Sequence, residues 1–292
     1  MKKMKHEDGG QVTDKMKSAF GIRHSAFILS VVIFLMLFTT VEVRAQLRVG
    51  LKLEHTSVLQ FEQAKVFVLL FNDSNIPFAI DESSKDNKAH LNFIVAKGPN
   101  DIIYKSNNKP IITKLKLKPG EKREIMVNLS RWYNIRSEGG YFVSAVIDWG
   151  GSTFMSDKRM FDVVSGIEIN KVRKGVPWDI KSVRTYSLRY WPRERKEYLF
   201  LRVDGEEAKG RVNYGVFQLG RVIRVFKPVL EIDRLGNIKI KHQSDQDCFA
   251  WSIFKSLEKR VLFVDQTYHL PDGKPYPARS SSLKLKSVAE SK

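Results

Sequence analysis

The chain has 292 residues, of which 50 are lysine or arginine and 32 are aspartate or glutamate, so its net charge is +18. The single cysteine, Cys248, excludes an intrachain disulfide and therefore the disulfide-stabilised scaffolds. Stability has to come from buried apolar surface, which a chain of this length can supply in two domains. The basic excess favours anionic partners such as acidic polymers but indicates no particular fold.

An N-terminal hydrophobic segment comes first along the chain. Residues 26–41 are uncharged, follow a basic leader and precede small Ala45, which predicts a signal peptide over residues 1–45 and a mature start at Gln46. The alternative is an uncleaved anchor, although the segment is shorter than the roughly 20 residues that a membrane-spanning helix usually needs. Both interpretations predict an exported protein, because the basic flank stays on the cytoplasmic side. Translation from Met16 would give a signal peptide of ordinary proportions.

Period-two alternation dominates the next part of the chain. Leu47, Val49 and Leu51 alternate with polar or small residues, as they do in a strand with one buried face. Similar patterns, separated by turn-forming residues, predict five further strands: 65–71, 91–96, 111–117, 123–129 and 141–148. Six short strands within about 120 residues indicate a β-sandwich over residues 46–167.

The closing half of this region resembles immunoglobulin-like domains of exported bacterial proteins. Pro119-Gly120-Glu121 forms a turn before an alternating strand, and Gly139-Gly140-Tyr141 opens the next long strand, as the corresponding steps do in that family. The second step resembles the tyrosine corner, in which a tyrosine hydroxyl ties a crossover to the sheet. The resemblance covers residues 46–166 and implies an immunoglobulin-like sandwich, but it implies no activity.

A change of pattern follows this region. Residues 171–177 are basic and contain Gly and Pro, which is typical of a linker and predicts a domain boundary near residue 168. Eight closely spaced strand patterns come next: 183–190, 198–203, 214–219, 222–226, 229–232, 238–242, 249–254 and 261–268. With hairpin-type turns at Asp204-Gly205 and Leu235-Gly236-Asn237, they predict an antiparallel β-meander domain over residues 168–270, as a small sandwich, a barrel or a curled sheet.

The last part of the chain, residues 271–292, is rich in Pro, Ser and Lys and predicts a disordered tail. The combined prediction is an all-β protein, in which an immunoglobulin-like β-sandwich is followed by a second antiparallel β-meander domain, after an N-terminal hydrophobic helix. This arrangement resembles two-domain exported bacterial β proteins of uncharacterised function. That resemblance implies no activity for this chain.

No catalytic or metal-binding motif stands out after residue 45. The four histidines of this region lack the spacing that places two on one helical face, and neither a Gly-x-Ser-x-Gly elbow nor a phosphate-binding Gly-x-x-x-x-Gly-Lys loop occurs. His242 with Asp245 and Asp247 is one local group of possible metal ligands, and a solvated turn is the simpler explanation. We therefore expect no enzymatic activity, no cofactor and no bound metal.

The stretch 189–196 is the candidate ligand-facing surface. It combines cations, which pair with phosphate or sulfate, with an indole that can stack on sugars or bases. We expect polyanion contact through five side chains: Arg189, Trp191, Arg193, Arg195 and Lys196. The alternative is an ordinary hairpin tip, in which Trp191 packs inward and the charges face water.

These features favour a noncatalytic exported module of the cell envelope, either periplasmic, at the cell surface or secreted, that contacts an anionic polymer or a surface protein. Nucleic acid is not an expected partner, and we expect membrane contact only through the N-terminal segment. The alternative function is an inhibitor or accessory domain of an extracellular protease, with the polar residues 81–90 as its protruding loop. The sequence leaves the ligand and the oligomeric state open.

Overall fold

Regular structure in the part of the chain that the structure describes is almost entirely β. The computed structural model describes residues 47–81, 89–99, 101–207 and 210–277, so the predicted signal peptide and most of the predicted tail lie outside the described residues. Within these ranges the only helical element is a 3₁₀ turn, Leu129–Arg131. The prediction of an all-β protein is confirmed. The strands are β1 Leu47–Leu53, β2 Ser57–Leu59, β3 Lys65–Asn72, β4 Phe78–Asp81, β5 His90–Lys97, β6 Asp101–Ile103, β7 Lys114–Leu117, β8 Lys122–Asn128, β9 Gly139–Trp149, β10 Ser152–Met155, β11 Arg159–Val164, β12 Ile167–Val176, β13 Asp179–Arg193, β14 Lys196–Glu207, β15 Gly210–Arg221, β16 Val229–Ile232, β17 Asn237–Asp245, β18 Cys248–Ser256 and β19 Val261–His269.

The described residues belong to one compact unit and contain two hydrophobic cores, one in each of two β-sandwiches. A chain that begins at Gln46 therefore keeps both described cores.

The first sandwich, residues 47–164, is built mainly from two sheets. One has the strand order β1-β3-β8 and the other β2-β11-β9-β5-β6, with β10 paired to β9 and a separate β4-β7 pair. The pairings are antiparallel except for the parallel pair of β2 and β11. Alternate residues are buried, including Val66, Val68 and Leu70 on β3 and Tyr141 and Val143 on β9. The period-two pattern of the sequence thus marks the faces that form this core.

Two buried tyrosine hydroxyls tie loops to the sheets of the first sandwich. The Tyr141 hydroxyl donates to the Ser137 carbonyl at 2.7 Å, which is the kind of bond that a tyrosine corner makes. The Tyr133 hydroxyl donates to the Phe93 carbonyl at 2.9 Å and accepts from the Phe93 amide at 3.1 Å. Burial raises the pKa of Tyr133, so this hydroxyl stays protonated and remains a donor.

The second sandwich consists of two four-stranded meanders that share one core. Their strand orders are β12-β13-β14-β15 and β16-β17-β18-β19, so each strand pairs with its neighbours in the chain. The core includes Leu188 and Leu201 from the first meander and Ile240 and Phe254 from the second. Of the forms predicted for this region, the small sandwich is the one observed.

The linker predicted at residues 171–177 is wrong, because these residues belong to β12. This strand pairs with β13 from Ile167 to Val176 and lies at the edge of its sheet. Lysine and arginine are typical of exposed edge strands, where they hinder pairing with other chains. The basic composition that predicted a linker is therefore that of an exposed edge strand.

The hairpin turn predicted at Asp204-Gly205 is also wrong, because both residues lie inside β14. Gly205 pairs with Val212 of β15. A Cβ on Gly205 would lie 2.5 Å from the ring of Tyr214, so glycine permits a close approach here rather than a turn. The strand predicted at 222–226 is absent as well, since these residues lie in the loop between β15 and β16. The turn predicted at Leu235-Gly236-Asn237 joins β16 to β17, and Gly236 has a φ of +81°.

His242 on β17 is buried inside the second sandwich. Neither of its ring nitrogens makes a hydrogen bond of good geometry with the described residues. Burial lowers the pKa of His242 to about 4, while the Arg221 backbone has a smaller, opposing effect. The folded protein therefore keeps His242 neutral at pH values where the unfolded chain, with a pKa of 6.5, already binds a proton.

We predict that His242 makes the protein less stable in mild acid. Between pH 6.5 and about 4 the unfolded state binds a proton that the folded state does not, so the free energy of unfolding decreases as the pH falls. A pKa difference of this size lowers the free energy of unfolding by roughly 3 kcal/mol once the pH has fallen to about 4. Urea unfolding at several pH values should show this loss in the wild-type protein and not in His242→Leu. Identical pH dependence of the two proteins would contradict the assignment.

Candidate anion-binding cleft

Gln60, Phe61 and Glu62, called the junction loop below, connect β2 to β3 where the first sandwich meets the second. The Glu62 amide donates to the Leu59 carbonyl at 2.9 Å, and the Leu59 amide donates to the Glu62 carboxylate at 2.8 Å. Phe61 has a φ of +71°, a left-handed conformation that is uncommon for a residue with a bulky side chain. The paired bonds between Leu59 and Glu62 hold the loop in this conformation.

A buried ion pair joins the junction loop to the second sandwich. The Glu62 carboxylate accepts from both terminal nitrogens of Arg193, with 3.0 Å between Nη1 and Oε1. The side chains are only 4% exposed for Arg193 and 14% for Glu62. Arg193 also donates to Gln218 at 3.1 Å, and its guanidinium carbon lies 4.8 Å from the centre of the Phe200 ring. Glu62 thus receives a bidentate, largely dehydrated partner from β13.

Arg202 of β14 makes the second set of contacts with the junction loop. Its Nη1 donates to the Gln60 side chain at 2.9 Å, and its guanidinium carbon lies 4.8 Å from the centre of the Phe61 ring. Its Nε donates to Asp204 at 2.7 Å. Asn213 of β15 donates to the other oxygen of that carboxylate at 2.9 Å. All three residues of the junction loop therefore contact the second sandwich.

The structure separates the five side chains of the predicted polyanion surface. Arg193 is buried in the ion pair, and Trp191 donates from Nε1 to Ser57 Oγ at 2.9 Å, so both serve the contact between the sandwiches. Arg195 and Lys196 are exposed at the β13-β14 turn. The prediction of one continuous ligand-facing surface needs correction, because a cation that is 4% exposed and already paired cannot meet a polymer.

Arg189 is the one member of that predicted set that lines the cleft between the sandwiches. Its Nη1 donates to the Ser165 carbonyl at 2.9 Å, and its Nη2 donates to Glu168 at 2.8 Å. The side chain is held by these contacts and is 17% exposed. Arg189 contributes positive potential to the cleft rather than a freely moving cation.

The cleft has a volume of about 830 Å³ and is partly open to solvent. The junction loop and the segment that follows β8 form one wall, while β12 to β15 form the other. Eight charged side chains line it, five basic and three acidic: Arg136, Lys171, Arg189, Arg202, Arg211, Glu62, Asp204 and Glu206.

The acidic side chains of the cleft are all neutralised by arginine. Glu62 is paired with Arg193, Asp204 with Arg202, and Glu206 with Arg173 at 2.6 Å. By contrast, the exposed side chains of Arg136 and Arg211 have no acidic partner among the described residues. Arg136 belongs to the first sandwich and Arg211 to the second, so an unpaired cation is available on each wall. The cleft is therefore suited to an anion.

Sequence reasoning missed the junction loop and the cleft. Arg202 and Arg211 occur in ordinary alternating strands, and nothing in the run Gln60-Phe61-Glu62 distinguishes it from other loops. Burial of Arg193 depends on Glu62, which lies 131 residues earlier in the chain. A pairing across that distance leaves no local signal.

Two other expectations concern possible sites. Of the loop at 81–90, proposed for protease contact, residues 82–88 lie outside the described residues. His242 is buried while Asp247 is exposed, and within the described ranges no group of three His, Cys, Asp or Glu side chains could hold a metal ion. In the same ranges, no helix has the length and apolar character needed to cross a membrane.

Comparisons with known proteins add little to this geometry. No protein-family model matches the chain, and no curated protein matches it. Among solved structures, the sporulation control protein Spo0M from Bacillus subtilis is similar over 76% of this chain and 90% of its own, with 9% identity and a TM-score of 0.26. A similarity at that TM-score carries no argument about fold or function.

We predict that the Glu62–Arg193 pair shows strong coupling. Glu62→Gln or Arg193→Met alone leaves an uncompensated buried charge, which should lower the free energy of unfolding by about 3 to 5 kcal/mol. The double variant removes both charges and should lose less than the sum of the single losses. Urea unfolding of the four proteins measures this double-mutant cycle. Additive losses would show that the two side chains do not act as a pair.

Proposed function

We propose that the protein is a noncatalytic exported module of the cell envelope that binds anionic groups of a polymer in the cleft between its sandwiches. The N-terminal segment at residues 26–41 supports export. The observation that carries the binding proposal is the difference between the charges of the cleft: its acids are paired, while Arg136 and Arg211 have no acidic partner among the described residues.

The chemistry of the cleft favours carboxylate, sulfate or phosphate as the bound group. Guanidinium groups donate two parallel hydrogen bonds to such anions, which a single ammonium cannot do. The lining carboxylates already accept from arginine, so none of them is a free general base. Binding without a chemical step is therefore the function that this arrangement supports best.

We predict that Arg136 and Arg211 both contribute to the polymer affinity. The double variant Arg136→Gln/Arg211→Gln should bind polygalacturonate about tenfold more weakly, because two such charge contacts contribute up to about 1 kcal/mol each. Titration calorimetry with the chain that begins at Gln46 measures this affinity, and neutral dextran serves as the control polymer. Binding should also weaken with added salt.

The matched control is Arg234→Gln/Arg260→Gln, which removes the same charge from exposed positions outside the cleft. This variant should keep the affinity of the wild-type protein. An equal loss of affinity in both double variants would mean that the net charge, and not the cleft, attracts the polymer. No measurable binding of polygalacturonate or of polyphosphate by the wild-type protein would reject the proposed function.

A further inference from the structure

Two large apolar side chains project from the loop that joins β15 to β16. Val225 is 72% exposed and Phe226 is 56% exposed, although both would contribute to stability if they were buried. Arg224 precedes them and Lys227 follows them, so cations flank the apolar pair on both sides. An exposed apolar pair between cations indicates an interaction surface rather than a core.

The loop is held on both sides of its tip, by contacts of residues 222–224 and by the pairing of Val229 of β16 with Lys241 of β17, so the tip is fixed outward. Val222 is buried and its amide donates to the Glu197 carbonyl at 2.9 Å, while the Ile223 amide donates to the Gln243 carbonyl at 2.9 Å. Arg224 makes two hydrogen bonds of 2.7 Å with the Glu197 carboxylate. The exposure of Val225 and Phe226 is therefore a property of the folded loop.

A row of rings and one lysine continues this surface across the outer face of the second meander. The Phe226 ring centre lies 5.7 Å from that of Phe249. The Lys241 ammonium lies 5.2 Å from the ring centres of both Phe249 and Trp251. Trp251 in turn stacks on His269, with 4.3 Å between the ring centres. A continuous row of rings with one lysine between two of them thus lies next to the exposed tip.

This surface differs from a sugar-binding platform and from a peptide groove. Stacking on sugars needs free ring faces, but Phe249 and Trp251 are already in contact with Phe226, Lys241 and His269. The tip is a turn whose two apolar side chains are more than half exposed, so they project from the surface instead of lining a groove. A projecting apolar pair with flanking cations fits a soft, anionic surface, into which it can insert without a matching pocket.

We propose that the Val225–Phe226 tip and the adjoining row of rings dock on the surface of an anionic lipid bilayer. The two apolar side chains enter the boundary between headgroups and acyl chains. Lys227 and Lys241 contact the phosphate-bearing headgroups, while Trp251 and Phe249 lie at the interfacial depth that aromatic rings prefer. This contact is separate from the cleft and from residues 26–41, and it does not depend on the proposed polymer binding.

Vesicle sedimentation with the chain that begins at Gln46 tests the proposal, because this chain lacks the hydrophobic N-terminal segment. The wild-type protein should bind vesicles of phosphatidylglycerol and phosphatidylcholine, and should bind pure phosphatidylcholine at least about tenfold more weakly. Val225→Ser/Phe226→Ser should reduce binding to the mixed vesicles by about tenfold or more. Lipids brominated on their acyl chains should quench tryptophan fluorescence in the wild-type protein and not in this variant.

The matched control is Tyr104→Ser/Leu235→Ser, since these two side chains are 81% and 73% exposed at other places on the surface. This variant should bind the mixed vesicles as the wild-type protein does. Thermal unfolding should change little in both variants, because the altered side chains are all more than half exposed. Equal vesicle binding by the tip variant and the wild-type protein would overturn the proposal.

Two further results would also overturn it. If Arg136→Gln/Arg211→Gln loses vesicle binding while the tip variant keeps it, lipid phosphate is held in the cleft and not at the tip. If sedimentation equilibrium shows a wild-type dimer that the tip variant converts to a monomer, and no vesicles bind, a second copy of the chain covers this face.

Discussion

The ion pair between Glu62 and Arg193 is the constraint on which the junction of the two sandwiches depends. Removing both charges from water is costly, and only good geometry with additional hydrogen bonds offsets that cost. Arg193 meets this requirement with a bidentate contact to Glu62, a bond to Gln218 and the face of Phe200. Its Nε has no partner among the described residues. The pair therefore contributes more to the position at which the sandwiches meet than to the stability of either sandwich.

The position of the cleft follows from that pair. With Glu62 held, the neighbouring Gln60 and Phe61 lie against Arg202, which brings the first wall of the cleft to the second. Arg202 in turn holds Asp204, so a carboxylate that would repel an anion is neutralised in place. Structural ion pairs occupy the acids of the cleft, and the cations left over face the solvent. The contacts that hold the two sandwiches together thus also neutralise the acids of the cleft and leave its cations free.

The long strands and the all-β class could be predicted from the sequence, because one buried face leaves a period of two. β3, β5 and β9 follow that pattern over eight or more residues. β2 and β6 were missed because three residues are too few to show a period. β12 was misinterpreted because an exposed edge strand and a linker share a basic composition. The Asp204-Gly205 pair matched a turn dipeptide, although its glycine makes room for the Tyr214 ring instead.

The candidate site was less predictable than the fold, because its geometry depends on pairings between distant parts of the chain. Arg189, Trp191 and Arg193 were noticed for their chemistry, but Trp191 and Arg193 join the sandwiches, and Arg189 is held in place by Ser165 and Glu168. A local sequence shows which side chains are cationic or aromatic. The local sequence does not show which of these side chains find a partner more than one hundred residues away. A side chain with such a partner becomes a buried contact, and one without it stays free to bind a ligand.

The order of the chain has a consequence for how the molecule is assembled. The second sandwich is built from neighbouring strands, which pair quickly, whereas β2 and β11 of the first sandwich pair across about one hundred residues. Glu62 also precedes Arg193 by 131 residues, so the two side chains belong to parts of the chain that are synthesised one after the other. Neither charge can be dehydrated by its partner until the parts of both sandwiches that hold them are in place. The junction therefore depends on both halves, and a change that unfolds either one leaves the other with an unpaired charge.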